Sequence, residues 1–165
     1  MTTPTVTTQR LVLRPLEQSD WPAFRAMLTS PRAAHMGGPF DEDETWRRFC
    51  EEIASWHVLP AGVLAITKDG KTIGTCGMLQ PPSFPEPEVG WMLFDGHEGQ
   101  GYATEAVSAL IAHVWSETAL DTFVSYIGQE NYNSQAVATR LGAVRDDEAA
   151  RPEPDDLVYR HRRAA

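Results

Sequence analysis

Apolar and polar residues alternate over 9–16, with Leu11 and Leu13 on one side and Val12 and Arg14 on the other, the pattern of a half-buried strand that stops near Pro15. Ser19 then caps a helix whose apolar residues are Trp21, Phe24, Ala26, Met27 and Leu28, and Ser30-Pro31 ends it. A second helix is predicted over 42–57. Asp41 and Glu44 have the N-cap and N3 spacing of a capping box, and Trp46, Phe49, Cys50, Ile53 and Trp56 form the apolar stripe. Two β-rich runs, 61–67 and 72–79, are separated by Lys68-Asp69-Gly70-Lys71, where Asp-Gly predicts an antiparallel hairpin. Pro81, Pro82, Pro85 and Pro87 bar the following stretch from a central strand and predict a projecting loop. A strand over 88–94 leads straight into a helix over 101–115, whose Ala103, Ala106, Val107, Leu110, Ile111 and Val114 make the cleanest 3.6-residue stripe in the chain. A strand over 122–127, a helix over 131–141 ending at Gly142, and short strands over 143–147 and 156–161 complete the pattern.

Strands interrupted by crossover helices predict an α/β fold, a mixed sheet covered on both faces. A length of 165 residues suits one domain, 1–165, with no internal repeat or linker. Lys and Arg number 14 against 23 Asp and Glu, a formal charge of -9. That balance disfavours nucleic acid and anionic membrane as partners and favours a cationic one. Cys50 and Cys76 stand in neither a CxxC nor a Cys/His spacing, and the five histidines have no metal partner at ligand spacing, so no metal is expected. The N-terminus is polar and no apolar run is long enough to span a bilayer, which makes the cytoplasm the expected location.

The sharpest chemical signal is the passage from the strand at 88–94 through Gly99-Gln100-Gly101 into a helix. Such a junction aims orphan backbone N–H groups and the positive end of the helix dipole at one point, which favours a phosphate or pyrophosphate. Thr104 stands where GxGxxG needs its third glycine, and no GxxxxGK followed by Ser or Thr occurs, so a dinucleotide or ATP cradle matches poorly. On spacing alone, the two glycines fit a plain helix-entry turn as well as an anion cradle.

The string Gly99-Gln100-Gly101-Tyr102-Ala103-Thr104-Glu105-Ala106 resembles the acetyl-CoA pyrophosphate loop of the GCN5-related N-acetyltransferases (GNAT), in particular their RimJ/RimL-like branch. The family loop reads Gln or Arg, two residues, Gly, one residue, then Gly or Ala; here Glu98 departs from the first position, while Gly101 and Ala103 fit the others. Thr8 to Arg14 resembles the branch's opening strand, Glu88-Val89-Gly90-Trp91 its fourth strand, and Asn131 to Ser134 with Ala138, Arg140, Leu141 and Gly142 its last long helix. The likeness spans roughly residues 8–145, with its motifs in the right order and spacing.

The resemblance implies a mixed, mostly antiparallel sheet of six to seven strands flanked by about four helices, with the family's fourth and fifth strands splayed apart. It implies acetyl-CoA as co-substrate, a primary amine on a protein N-terminus or small molecule as acceptor, direct attack in a ternary complex, and a monomer or homodimer. Met92, Phe94, Glu98, Gly99, Gln100, Gly101, Tyr102, Ala103, Thr104 and Asn131 are the expected coenzyme contacts, with the Met92 N–H or a near neighbour at the thioester carbonyl. Glu88 is the candidate base. Ser134 is the candidate proton donor, because Ala138 stands where many members carry a tyrosine; Val137 and Leu141 are expected to face the core. Trp21, Phe40, Trp46 and Phe84, with the acids Asp41 to Glu44, suit a cationic amine, although helical spacing places the tryptophans equally well in the core. The rival reading from Glu98, Ala138 and Ala143 is a catalytically weak acyl-CoA-binding sensor or interaction module.

Overall fold

Asp69 and Gly70 both take left-handed backbone angles, φ 49° and 77°, in the computed structural model, which describes residues 3–163. They close a hairpin between β3 (Val63–Lys68) and β4 (Lys71–Leu79), the third and fourth strands of an eight-stranded sheet. To one side lie β2 (Val12–Arg14) and β1 (Val6–Thr7); to the other lie β5 (Glu88–Leu93), β6 (Thr122–Gly128), β8 (Asp156–Arg162) and β7 (Val144–Arg145). Every pair is antiparallel except β5 and β6. The count exceeds the expected six to seven because Val6 and Thr7 form a two-residue edge strand on β2.

Helix α3 (Tyr102–Glu117) covers one face, and all six residues of its predicted stripe are buried. All but Ala103 pack in one core with Leu13, Leu64, Ile66, Met78, Val89 and Phe123. Helices α1 (Trp21–Leu28) and α2 (Glu42–Val58) cover the opposite face, where Phe24, Leu28 and Phe49 meet Val63, Ala65 and Met92. The fourth helix, α4 (Tyr132–Arg140), packs beyond β6. None of the helices among the described residues is long and apolar enough to cross a membrane.

Two expected faces are rotated. On α2, Cys50 is exposed and Trp46 and Ile53 are 45% and 37% exposed; the inward face runs through Thr45, Phe49 and Ser55 instead. The cause is hydrogen bonding: the Ser55 hydroxyl accepts the Val63 N–H (2.9 Å) and the Trp56 indole donates to the Val63 carbonyl (2.8 Å), fixing the helix's angle on β3. On α4, Ala138 rather than Val137 is fully buried, against Ile127, Ala143, Leu157 and Tyr159. The Asp41 carboxylate caps α2 through the Glu44 N–H (2.8 Å) as the spacing predicts, but the Glu44 carboxylate turns to Arg47 and Arg48.

The parallel pair is where the sheet opens. Strands β5 and β6 share one register pair, Glu88 with Val124, and then part. At the fork the Ser125 hydroxyl donates to the Val89 carbonyl (2.6 Å) and lies 3.1 Å from His161 Nε2. Burial holds the His161 pKa down to about 4, so the ring is neutral, and with the serine proton on Val89 its Nε2–H is the donor to Ser125 Oγ.

Candidate active site

Antiparallel pairing fixes which amides of β5 face the opening. The Phe94 N–H donates to the Ile73 carbonyl of β4 (2.8 Å), and the Val89 carbonyl points to β6. Because successive residues alternate sides, the N–H groups of Gly90 and Met92 also turn to β4, while those of Trp91 and Leu93 turn into the gap. Of the expected amides, Met92 or a near neighbour, this leaves the two neighbours Trp91 and Leu93 facing the gap. Phe94 also departs from expectation, since its amide is spent on Ile73 and its ring is buried under α1 and α2.

At the wide end of the gap lies the entry to α3. Gly99 and Gly101 have φ of 74° and 79°, a conformation only glycine takes without strain, and a side chain's space beside Gly99 is empty. The first backbone bond of the helix runs from Glu105 N to Gly101 O (3.1 Å), so the amides of Tyr102, Ala103 and Thr104 are left over at its positive end. Glu105 anchors this turn by accepting from Thr8 Oγ1 (2.7 Å), Arg10 N (2.9 Å) and Arg10 Nε (2.6 Å). Gln100 faces away from the cleft: its carbonyl accepts from Arg10 Nη1 (3.0 Å) and its side chain from the Tyr102 hydroxyl (3.1 Å). The Glu98 carboxylate forms an ion pair with Arg32, whose guanidinium also donates to the Leu93 carbonyl (3.3 Å). The unusual negative charge therefore arrives already countered.

The cleft has two lobes. The larger, about 1270 Å³, runs from this turn along β5 past Met92 to α4 and is lined by Glu98, Gly99, Gly101, Tyr102, Ala103 and Thr104. The smaller, about 590 Å³, opens between α2, the proline-rich loop and β6. His35, Met36, Trp91, Met92, Asn131 and Ser134 line both, so they mark where the lobes meet. Asn131 caps α4 by accepting the Ser134 N–H (3.2 Å), and Ser134 lies at the junction with its hydroxyl uncommitted among the described residues. Such a cleft suits a long ligand with an anionic end: spare amides at the helix, two outward strand amides along its length, and a hydroxyl at its inner end.

Glu88 lies in the smaller lobe. Burial pushes its carboxyl up to about 7, helped by Asp156 and opposed by the Tyr126 N–H, which donates to Oε1 (3.4 Å). Its carboxylate lies over Gly90, Oε2 being 3.8 Å from where a Cβ would stand, and Gly90 pairs with Gly77 of β4. A Cβ on Gly77 would come within 2.3 Å of the Val63 backbone, so that position admits glycine alone. The same lobe holds Glu52 of α2, which burial pushes up to about 8 against the pull of Thr75 and Arg48. Phe40 and Phe84 line this lobe, and Phe84 packs edge-on against Tyr126 at 5.3 Å. Trp21 and Trp46 do not; they pack on each other at 5.0 Å, over Phe49 at the outer end of α1 and α2. Asp41 to Glu44 likewise stay at the N-terminus of α2, away from the lobe. Glu52 and Tyr126 escape the sequence reading. The spacing Thr45, Phe49, Glu52, Trp56 was the available signal, hidden by the more apolar stripe one position away.

Residues 10–144 match the family model described as acetyltransferase (GNAT) domain. An acetyltransferase from Agrobacterium tumefaciens str. C58 is 45% identical with a TM-score of 0.95, covering 99% of this chain and 96% of its own. A protein from Bordetella pertussis described as a GnaT-family acetyltransferase is 26% identical, TM-score 0.78, with 95% and 98% covered. The fold extends to RimL, a ribosomal L7/L12 alpha-N-protein acetyltransferase in complex with coenzyme A, at 19% identity, TM-score 0.77, and 96% and 98% coverage. No curated protein matches the sequence.

Proposed function

We infer from its family, the GNAT acetyltransferases, to which the chain belongs across residues 10–144, that it moves an acetyl group from acetyl-CoA to a primary amine by direct attack with both bound. The observation that carries this reading is the junction of the two lobes. There the parted β5 strand and the α4 serine meet, between a helix N-terminus and a cavity that Glu88 lines.

Acetyl-CoA, when bound, supplies a thioester carbonyl activated toward amines. The leftover amides of Tyr102, Ala103 and Thr104 and those of the glycine turn hold its pyrophosphate, and Asn131 and the outward β5 amides hold its pantetheine arm. Either the Trp91 or the Leu93 N–H donates to the carbonyl oxygen as charge develops there. Glu88, ionised above about pH 7, takes the proton that the amine nitrogen loses as the C–N bond forms. The C–S bond breaks, and Ser134 gives its hydroxyl proton to the departing sulfur and regains one from solvent. A base matters most for an alkylamine, because a side-chain amine with pKa ~10.4 is almost wholly protonated at neutral pH whereas an α-amino group at ~8 is not.

Thermal unfolding with acetyl-CoA tests the binding half of this reading. At 100 times its Kd a ligand adds ~2.7 kcal/mol, a rise of roughly 5–10 °C for a chain of this length. Acetyl-CoA is expected to give that rise, and NAD and ATP are expected to give none. A rise with ATP or NAD alone, or none at millimolar acetyl-CoA, overturns the reading.

A further inference from the structure

The charges of the smaller lobe leave one inner place for a cation. On its α2 wall Arg48 and Glu52 stand one helical turn apart. Arg48 draws the Glu52 carboxyl toward its ionised form while burial draws it toward the neutral one, and the Arg48 guanidinium spreads over the Phe40 ring at 4.0 Å. Arg48 Nε and Glu52 Oε2 are both buried without a hydrogen-bond partner among the described residues, so the wall presents a donor beside an acceptor and no net negative charge. Glu51 and Glu153 are exposed, and Asp156 feels Arg151 as well as Glu153. What remains inside is Glu88, whose carboxylate lies over Gly90, next in the chain to the Trp91 amide that faces the gap.

The surroundings of that carboxylate are apolar. Glu88 pairs with Leu79 of β4 and Val124 of β6, which puts Leu79 and, two residues past Val124, Tyr126 on its own face of the sheet. The Tyr126 N–H reaches Glu88 Oε1, and the Tyr126 ring meets Phe84 of the proline-rich loop at 75°, with centroids 5.3 Å apart. The Tyr126 hydroxyl is turned to the Glu86 N–H (3.3 Å), so the corner between the two rings is formed by their carbon surfaces. Phe40, Leu79, Phe84, Trp91 and Tyr126 all line the lobe and all are only half-buried. Uncovered apolar side chains around a cavity of about 590 Å³ are the surface that the body of a small ligand removes from water.

We propose that the acceptor is a monoamine with a flat apolar body, an arylalkylamine, whose ring lies against Phe84 and Tyr126 while its amine lies at the Glu88 carboxylate. The assignment rests on the acetyltransferase reading for the reaction and on the lobe alone for the binding. An aromatic ring added to an edge-on pair gains contact beyond the area it buries. A second ammonium would shed its water among Phe40, Leu79 and Phe84, and the carboxyl left to receive it, Glu52, is already offset by Arg48.

The test sets 2-phenylethylamine against pentylamine, 1,5-diaminopentane and an alanine tripeptide amide, first by calorimetric binding to the protein loaded with coenzyme A, then by thiol release from acetyl-CoA. Phenylethylamine is expected to bind roughly tenfold or more better than the diamine and several-fold better than pentylamine. Phe84→Ala is expected to weaken phenylethylamine about tenfold, through KM, and to erase its advantage over pentylamine, whereas Phe84→Tyr keeps that advantage. A cooperative unfolding transition with the midpoint of the wild type certifies the fold of each variant. Preferential binding of phenylethylamine without thiol release keeps this proposal and sinks the acetyltransferase reading. Thiol release with the diamine or the peptide equal to or better than phenylethylamine, no advantage over pentylamine, an advantage that survives Phe84→Ala, or no amine binding at all overturns the proposal.

Discussion

Burial that holds the Glu88 carboxyl near 7 gives the residue a measurable signature. With the concentration of neutral amine held fixed, kcat/KM is expected to rise with pH through about 7 and then level, because the ionised form is the base. Glu88→Gln is expected to lower it by roughly 10²-fold or more and to remove the inflection. A variant retaining both rate and profile would take Glu88 out of the mechanism. Ser134→Ala should lower turnover while acetyl-CoA affinity stays within about twofold, since the helix cap uses the Ser134 amide and not its hydroxyl. Gly77→Ala must push the Val63 backbone aside and is expected to cost ~1–3 kcal/mol, read from denaturant midpoints. Glu88 and Ser134 were legible as motif positions. Glu52 was not, because adjacent Glu51 and Glu52 read alike as a solvated helix face, and only the angle of α2 on the sheet separates the exposed one from the buried one.

At the scale of elements, the entry to α3 was readable because its chemistry is local: the glycine turn runs directly from the end of β5 at Leu93 to the start of α3 at Tyr102, and backbone groups make the cradle. What holds it in place was not readable as contact, since Thr8 and Arg10 reach Glu105 from the far end of the chain, and Arg32 reaches Glu98 from the turn after α1. Arg32 has a consequence of its own. Removing it leaves the Glu98 carboxylate unpaired beside the amides proposed to hold an anion. Arg32→Ala is therefore expected to weaken acetyl-CoA binding several-fold, more strongly at low salt, and adding Glu98→Gln is expected to recover most of the loss. Equal affinity in wild type and Arg32→Ala would show that the pair has no bearing on the coenzyme. The helix stripes were legible where the inward face is wholly apolar, as in α3, and misread in α2, where the sheet's need for hydrogen bonds puts Ser55 and Thr45 inside and leaves Cys50 and Ile53 outside.

Over the whole molecule, the element order was legible because each segment keeps one period, 2 or 3.6, between clear turn signals. The strand pairing beyond the hairpin, the two-residue β1 and the fork at Ser125 depend on contacts between segments far apart in sequence and came only with the structure. The same buried groups set how the molecule responds to pH. Glu52 and Glu88, with pKa values raised to about 8 and 7, contribute stability that is full below about 4.5 and lost as pH rises through those values. His161 acts oppositely, its share present above about 6.5 and lost as pH falls through about 4. Between pH 6.5 and 8.5 the carboxyls alone change, so the unliganded Tm is expected to fall across that range and to fall less in Glu52→Gln, each ~1 kcal/mol reading as roughly 2–4 °C. A flat wild-type curve would mean that these carboxyls are solvated. The most direct test of the account is to incubate the protein with acetyl-CoA and a panel of primary amines, measuring free thiol and N-acetylated amine in the same samples. Equal amounts of both, rising together and lost in Glu88→Gln, are the predicted result. Thiol without acetylated amine, or acetyl-CoA bound but neither product formed with any amine, would contradict it.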